Sequence, residues 1–252
     1  MPSVLTATNF DVKSVNFGKH KPNTNGGYNI DLTIGDSTNE TLIQTPKMRA
    51  PFGIGTDKTN PFKKSIDISF SGQETSDSIK AFRSIMEQMD NIAIDYALKN
   101  SKTFFNSKKE LTRDIIEEYY YSSIKKSKKE EYADTFRFKL QYLKPNPDKG
   151  LINGKYLTSF WDLKGVEKNE NHLDKGDSIT ALIKPQMFWV ASKQFGISWV
   201  CTQIRVHKQQ RNKGSLFVKT NDDVPDVADD EEEIEVEESE EETEEVEVEV
   251  DA

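Results

Sequence analysis

The sequence predicts a mainly β protein: a Greek-key barrel of the OB type with inserted helices and a disordered acidic tail. Three observations predict it. Many short segments alternate apolar and polar residues with the period of two that a half-buried strand requires. One long stretch instead repeats its apolar residues at spacings of three and four, the mark of a single helix face. Acidic residues crowd the C-terminal end, where 221–252 holds nineteen Asp and Glu and no Lys or Arg.

The strands come first. Tyr28, Ile30, Leu32 and Ile34 alternate with Asn29, Asp31 and Thr33, and Ile66, Ile68 and Phe70 alternate with Ser65, Asp67 and Ser69. Further strands are expected at about 10–18, 134–143, 156–163, 178–184, 186–193 and 196–206, divided by turn sequences such as Asn25-Gly26-Gly27 and Asp174-Lys175-Gly176-Asp177. From about 76 to 98, Ile79, Phe82, Ile85, Met86, Met89, Ile92, Ala93 and Tyr96 form the helical stripe, which is read as core packing. Ser107 followed by Glu110 reads as a capping box for a second helix running to about 124. Neither helix alternates with parallel-type strands, which disfavours a doubly wound sheet. Many short strands with helices inserted midway suit an OB-type barrel. The expected organisation is a barrel domain over 1–206 with its helical insertion at about 75–125, a basic linker at 207–220, and the tail at 221–252. Like charges repel along that tail and its scattered Val and Ile bury too little area to offset the ordering entropy, so it is expected to be disordered.

The formal net charge of −9 conceals two opposed halves. Nineteen of the 43 acidic residues lie in the tail, leaving 24 against 34 Lys and Arg in 1–220. The body is therefore about +10 and the tail −19. That separation points to a polyanionic partner for the body.

Several chemistries are excluded. Cys201 is the only cysteine, so no intramolecular disulfide forms and a reducing, intracellular compartment is expected. No run approaches the ~20 apolar residues of a membrane span, and no membrane partner is expected. His20, His172 and His207 lie far apart without Cys or carboxylate at metal-ligand spacing. The stretch from Gly150 to Tyr156 resembles a phosphate loop only superficially. It is one residue short between its glycines and carries Tyr156 where Ser or Thr would hold magnesium, so a hairpin turn is preferred. Asp31 and Asp67, on strands, read as solvated acids rather than nuclease ligands. No enzymatic activity, cofactor or metal is expected.

What remains is the pairing of cations with aromatic rings that single-stranded nucleic acid requires: bases stack on rings while Lys and Arg neutralise phosphates. In the strand from Thr135 to Leu143, Phe136, Phe138, Leu140 and Tyr142 face one way and Arg137, Lys139 and Gln141 the other. Phe136 and Phe138 are assigned to the core, Arg137 and Lys139 to phosphate. The stretch with Lys184, Phe188 and Trp189, followed by Lys193 and then Trp199 and Arg205, reads as a hairpin. On its second arm Val200, Ile204 and Val206 share one face, leaving Trp199, Gln203 and Arg205 on the other, although Trp199 suits the core equally well. The irregular basic loop with Lys47, Arg49, Phe52 and Gly53, then Lys63 and Lys64, suits close approach to a backbone. Tyr142 and Trp161 complete the candidate DNA-binding set. Lys125, Lys126, Lys128 and Lys129 read as a helix C-terminal charge cluster, a phosphate contact or a localisation patch.

The order of these features resembles that of the single-stranded DNA-binding proteins of short-tailed phages and their counterparts in nucleocytoplasmic large DNA viruses. The features are an early Gly27-Tyr28-Asn29-Ile30-Asp31-Leu32-Thr33-Ile34 strand, a helical insert, Thr135-Phe136-Arg137-Phe138-Lys139, a late hairpin with Trp189 and Gly196-Ile197-Ser198, and an acidic tail. The resemblance implies an OB fold and sequence-independent binding of single-stranded DNA in viral replication, recombination and repair. It also implies a tail that contacts a viral DNA polymerase or other replication proteins and competes with DNA for the basic groove. If the protein is viral, its place is the host nucleus or a cytoplasmic replication factory. The aromatic position of the late hairpin falls on Phe188 or Trp189. The family's tail ends on an aromatic residue whereas this one ends Asp251-Ala252, so electrostatic competition, not a terminal ring, is the mechanism carried over.

Two other function classes stay open: an acidic-tailed histone chaperone or virion structural protein, and an RNA-binding OB module. A positive body argues against the first. The sequence sets no oligomeric state, and a homodimer is left open.

Overall fold

The tertiary arrangement follows from where alternation puts the apolar residues. In the computed structural model, which describes residues 2–24, 26–35, 40–149, 151–152 and 154–208, the strands are β1 (Ser3–Thr6), β2 (Val15–Pro22), β3 (Tyr28–Ile34), β4 (Thr41–Gln44), β5 (Met48–Arg49), β6 (Ile54–Thr56) and β7 (Lys64–Ser69). Helices α1 (Asp77–Lys99), α2 (Ser101–Phe104) and α3 (Arg113–Glu118) follow. Then come β8 (Tyr120–Tyr121), β9 (Ile124–Lys125), β10 (Thr135–Leu140), β11 (Tyr142–Leu143), β12 (Lys155–Tyr156), β13 (Ser159–Trp161), β14 (Glu167–Lys168), β15 (Ser178–Ala191) and β16 (Gln194–His207). Most of the linker and the whole acidic tail lie outside the described residues.

A closed circuit of pairings defines a barrel. Strand β5 pairs β7, β7 pairs β10, β10 pairs β16, β16 pairs β15, and β15 returns to β4 and β5. Within this circuit only the β10–β16 pairing is parallel. Counting β4 and β5 as one broken first strand, neighbours run first, second, third, fifth, fourth and back to the first, which is the OB arrangement. Phe136, Phe138, Ile66, Ile68, Ile179, Ala181, Ile204 and Val206 point inward and are buried. The helices are inserted between the second and third barrel strands.

Strands β15 and β16 each run fourteen residues, and their far halves leave the barrel. There β3 pairs beside β15, β2 beside β3, and β8 beside β16. The sequence divides β15 at Pro185, but the strand continues: Gln186 is skipped in the pairing between Pro185 and Met187. A bulge is where a residue without an N–H is tolerated in a sheet. Gly27 allows the close approach of β3 to this hairpin, since a Cβ there would sit 1.9 Å from the Val190 carbonyl oxygen.

Helix α1 starts where expected. Ser76 is its N-cap, its Oγ accepting from the Ile79 amide at 3.4 Å. The predicted stripe packs onto the inner face of the hairpin extension and the barrel end, with Phe82 edge-on to Phe136 and Tyr96 edge-on to Phe188. Asp90 lies in that stripe and accepts from Tyr120 Oη at 2.7 Å and Ser122 Oγ at 2.6 Å. Burial pushes its carboxyl above the ordinary value despite these donors.

The second predicted helix is corrected. No helix starts at Ser107, whose Oγ instead donates to the Lys109 carbonyl at 2.6 Å. Helix α3 covers only Arg113–Glu118, because the tyrosines after it pair as β8 with Phe195 and Gly196 of β16. Aromatic residues favour a pleated surface, and here sheet pairing wins over helix continuation. The lysines from 125 to 129 therefore do not close a helix: Lys126 binds Asp134 at 3.1 Å in the connection from β9 to β10.

Candidate nucleic-acid interface

Residues directly opposite each other in a sheet share a face, so strand register shows which candidates come together. On β16 the inward residues are Phe195, Ile197, Trp199 and Cys201, then Ile204 and Val206. Parity reverses because Thr202 is an extra residue between the pairs Ile183–Cys201 and Leu182–Gln203. This overturns the expected grouping of Trp199 with Gln203 and Arg205. Trp199 is 2% exposed, edge-on to Phe136, with Nε1 donating to Ser123 Oγ at 3.0 Å. Phe188, fully buried against Phe17, Tyr96 and Phe195, is likewise core. Neither ring is available to a base.

Gln203 and Arg205 are outward, and register places two rows across the barrel wall. Trp161, Arg205 and Thr180 form one; Ser159, Gln203, Leu182 and Gln44 form the next. All of these but Ser159, with Gly165, line an open cleft of about 410 Å³. The Trp161 indole is half-buried and lines the cleft, its Nε1 donating to Ser159 Oγ at 2.9 Å. One row further on, His207 pairs Ser178, and Ser178 pairs Arg49. Burial pushes the His207 imidazole below its ordinary value, and Lys47 and Arg205 push the same way. Burial is the larger cause, and Lys47 and Arg205 are close enough to the imidazole to add to it. Of the predicted residues, Trp161, Arg205, Lys47 and Arg49 are thus gathered, with His207 added.

The same outer surface continues across the barrel and hairpin. Ser65, Lys139, Val200 and Lys184 form a row, and Asp67 with Arg137 another. Arg137 donates to both Asp67 oxygens, at 2.7 and 2.8 Å, and Lys184 pairs Glu40, so these two candidate binding residues are partly neutralised within the protein. Trp189 lies on this surface beside Tyr121, ring centroids 6.3 Å apart. Gly196 beneath makes room: a Cβ there would meet the indole at 3.2 Å and the Tyr121 carbonyl at 2.8 Å. Lys193 is exposed at the hairpin tip.

The remaining candidates lie elsewhere. Lys64 and Tyr142 sit at one mouth of the barrel, where Lys64 Nζ is 5.9 Å from the Tyr142 ring centre and Tyr142 stacks near Phe62 at 6.4 Å. Lys144 covers Phe62, and Tyr156 lies edge-on to Tyr142. Lys63 precedes β7, next to Phe62. Phe52 is 60% exposed in the turn after β5. His207, Thr180, Gln44, Phe62 and Lys144 were not singled out from sequence. For His207 the signal was present, two residues beyond Arg205 on an alternating strand; Thr180 and Gln44 join the site only through register.

Among the described residues there is no cluster of three or more His, Cys, Asp or Glu that could hold a metal. No helix among them is long and apolar enough to cross a membrane. Burial raises the Cys201 thiol far above its ordinary value, which favours the neutral form.

No family model matches the chain, and no curated protein does. Solved structures similar to it include gp2.5, a single-stranded DNA-binding protein encoded by bacteriophage T7. The two are 12% identical, with 71% of this chain and 98% of that chain covered and a TM-score of 0.41. The single-stranded DNA-binding protein from bacteriophage Enc34 is 14% identical, covering 82% and 98%, with a TM-score of 0.39. The same protein in complex with single-stranded DNA gives 14%, 81%, 100% and 0.35. Likeness this slight does not carry function from one protein to the other.

Proposed function

We propose that this protein binds single-stranded DNA, largely independently of sequence, across the outer surface that runs from the Trp161 cleft to Trp189. The observation that carries the reading is the half-buried Trp161 indole next to Arg205, with Arg49 and His207 on the adjoining row and Lys47 close enough to act on the His207 imidazole. A stacking ring bordered by cations is what a base and its phosphate need, and the OB barrel supplies a rigid wall for it. The body's excess of Lys and Arg over Asp and Glu supports a polyanion over the basic partners of a histone chaperone. In this account the protein serves viral DNA replication, recombination and repair. The 221–252 segment competes for the cationic surface and engages replication proteins, since its charge of −19 opposes that of the body.

The test is a fluorescence titration of the full chain with single-stranded DNA, RNA and duplex DNA at two salt concentrations. The proposal expects tightest binding to single-stranded DNA, with affinity falling steeply as salt rises. Equal affinity for duplex, or preference for RNA, overturns it. Deleting 221–252 is expected to tighten binding at low salt; unchanged affinity removes the tail from the mechanism.

A further inference from the structure

The Trp161 cleft holds more hydrogen-bonding capacity than indifferent stacking requires. Gln203 and Arg205 are two residues apart on one strand and one face, about 7 Å along the chain. Gln44 faces them across Leu182. Among the described residues, the Gln44 and Gln203 amides and the Arg205 guanidinium have no side-chain hydrogen-bond or ion-pair partner, whereas Arg137 is already held by Asp67.

The chemistry of these groups is selective. A guanidinium only donates, and its fork is satisfied by two acceptors on one edge of a base. Guanine offers that pair as O6 and N7; unpaired cytosine offers O2 and N3, but it has no adjacent pair of ring and amino donors left for an amide oxygen. An amide both donates and accepts, so it also takes the N1 and N2 donors on guanine's other edge, which a single-stranded base leaves open. A purine stacked on Trp161 would present these edges to the cleft wall.

We infer that this cleft is a base-reading subsite that selects guanine at one position of an otherwise sequence-tolerant strand: Trp161 stacks the base, Arg205 reads O6 and N7, and Gln203 or Gln44 reads the opposite edge. The inference rests on the proposed binding of single-stranded DNA and assigns that site a specificity.

The experiment compares a twelve-residue oligothymidylate with the same strand carrying one central dG, dA, dC or 7-deaza-dG, by anisotropy on the full chain. The dG strand is expected to bind at least about fivefold tighter than oligothymidylate, with dA and dC giving less and 7-deaza-dG losing most of the gain. In Arg205→Lys the ratio of dG to oligothymidylate affinity falls to near one, whatever the absolute affinity. Equal binding of all strands to the unaltered protein overturns the subsite while leaving single-strand binding standing. A preference that survives in Arg205→Lys overturns the residue assignment. Failure of every strand to bind overturns both proposals.

Discussion

Phe188 and Trp189 are neighbours in one strand and should fail in opposite ways. The Phe188 ring is fully buried, with ring centres of Phe17, Tyr96, Phe104 and Phe195 at 5.7, 5.5, 5.8 and 5.6 Å. Truncation to Ala removes a large side chain from a site walled by other rings, which relax little into the space. The expected cost is about 3–5 kcal/mol. For a domain of this size each kcal/mol lowers Tm by about 2–4 °C, so Phe188→Ala should lose roughly 6–20 °C. Trp189 lies outside, over Gly196 and beside Tyr121. Its replacement by Ala should change stability far less, but weaken binding by the about 1–3 kcal/mol that one stacked base supplies. Urea denaturation and anisotropy with a labelled oligothymidylate, measured on both variants, separate the two effects. A Phe188→Ala protein of native stability that no longer binds, beside a Trp189→Ala protein that binds normally, would refute the assignment of faces.

Trp199→Phe loses the indole donor to Ser123 and should cost about 1–3 kcal/mol of stability, with DNA affinity unchanged by titration under native conditions. Gly27→Ala drives a Cβ into the Val190 carbonyl and should destabilise by about 3 kcal/mol, seen as a lower urea midpoint. Asp134 is held below its ordinary value: burial opposes its charge, but the Ser127 amide, Arg83 and Lys126 outweigh it. Its contribution is therefore present above the ordinary carboxylate range and lost as pH falls through the lower folded value. Asp134→Asn should cost about 1.5–3 kcal/mol at neutral pH, with a difference from the unaltered protein that shrinks on acidification.

The legible part of this fold was local. The α1 stripe, the alternation in β3, β7 and β10, and the burial of Phe136 and Phe138 follow from spacing alone. What escaped depended on partners far away in sequence. The single extra residue at Thr202 inverts the face of everything before it, so correct alternation on each side still misplaced Trp199. The tyrosines after Glu118 pair with β16, a contact that no local pattern announces. At the site, cations and aromatics were recognisable by type, yet Asp67 and Glu40, which engage Arg137 and Lys184, became visible only through tertiary contacts. Thr180 and Gln44, chemically unremarkable in sequence, gained meaning only when register set them beside Trp161.

A single measurement bears most directly on the binding claim. With Trp189→Phe and Trp199→Phe in place, Trp161 is the sole indole, and its emission reports the cleft alone. Single-stranded DNA is predicted to quench it, with a log-log salt dependence of about −0.7 per phosphate neutralised. Trp161 emission that stays constant while anisotropy shows the strand binding would place the interface elsewhere and contradict the account.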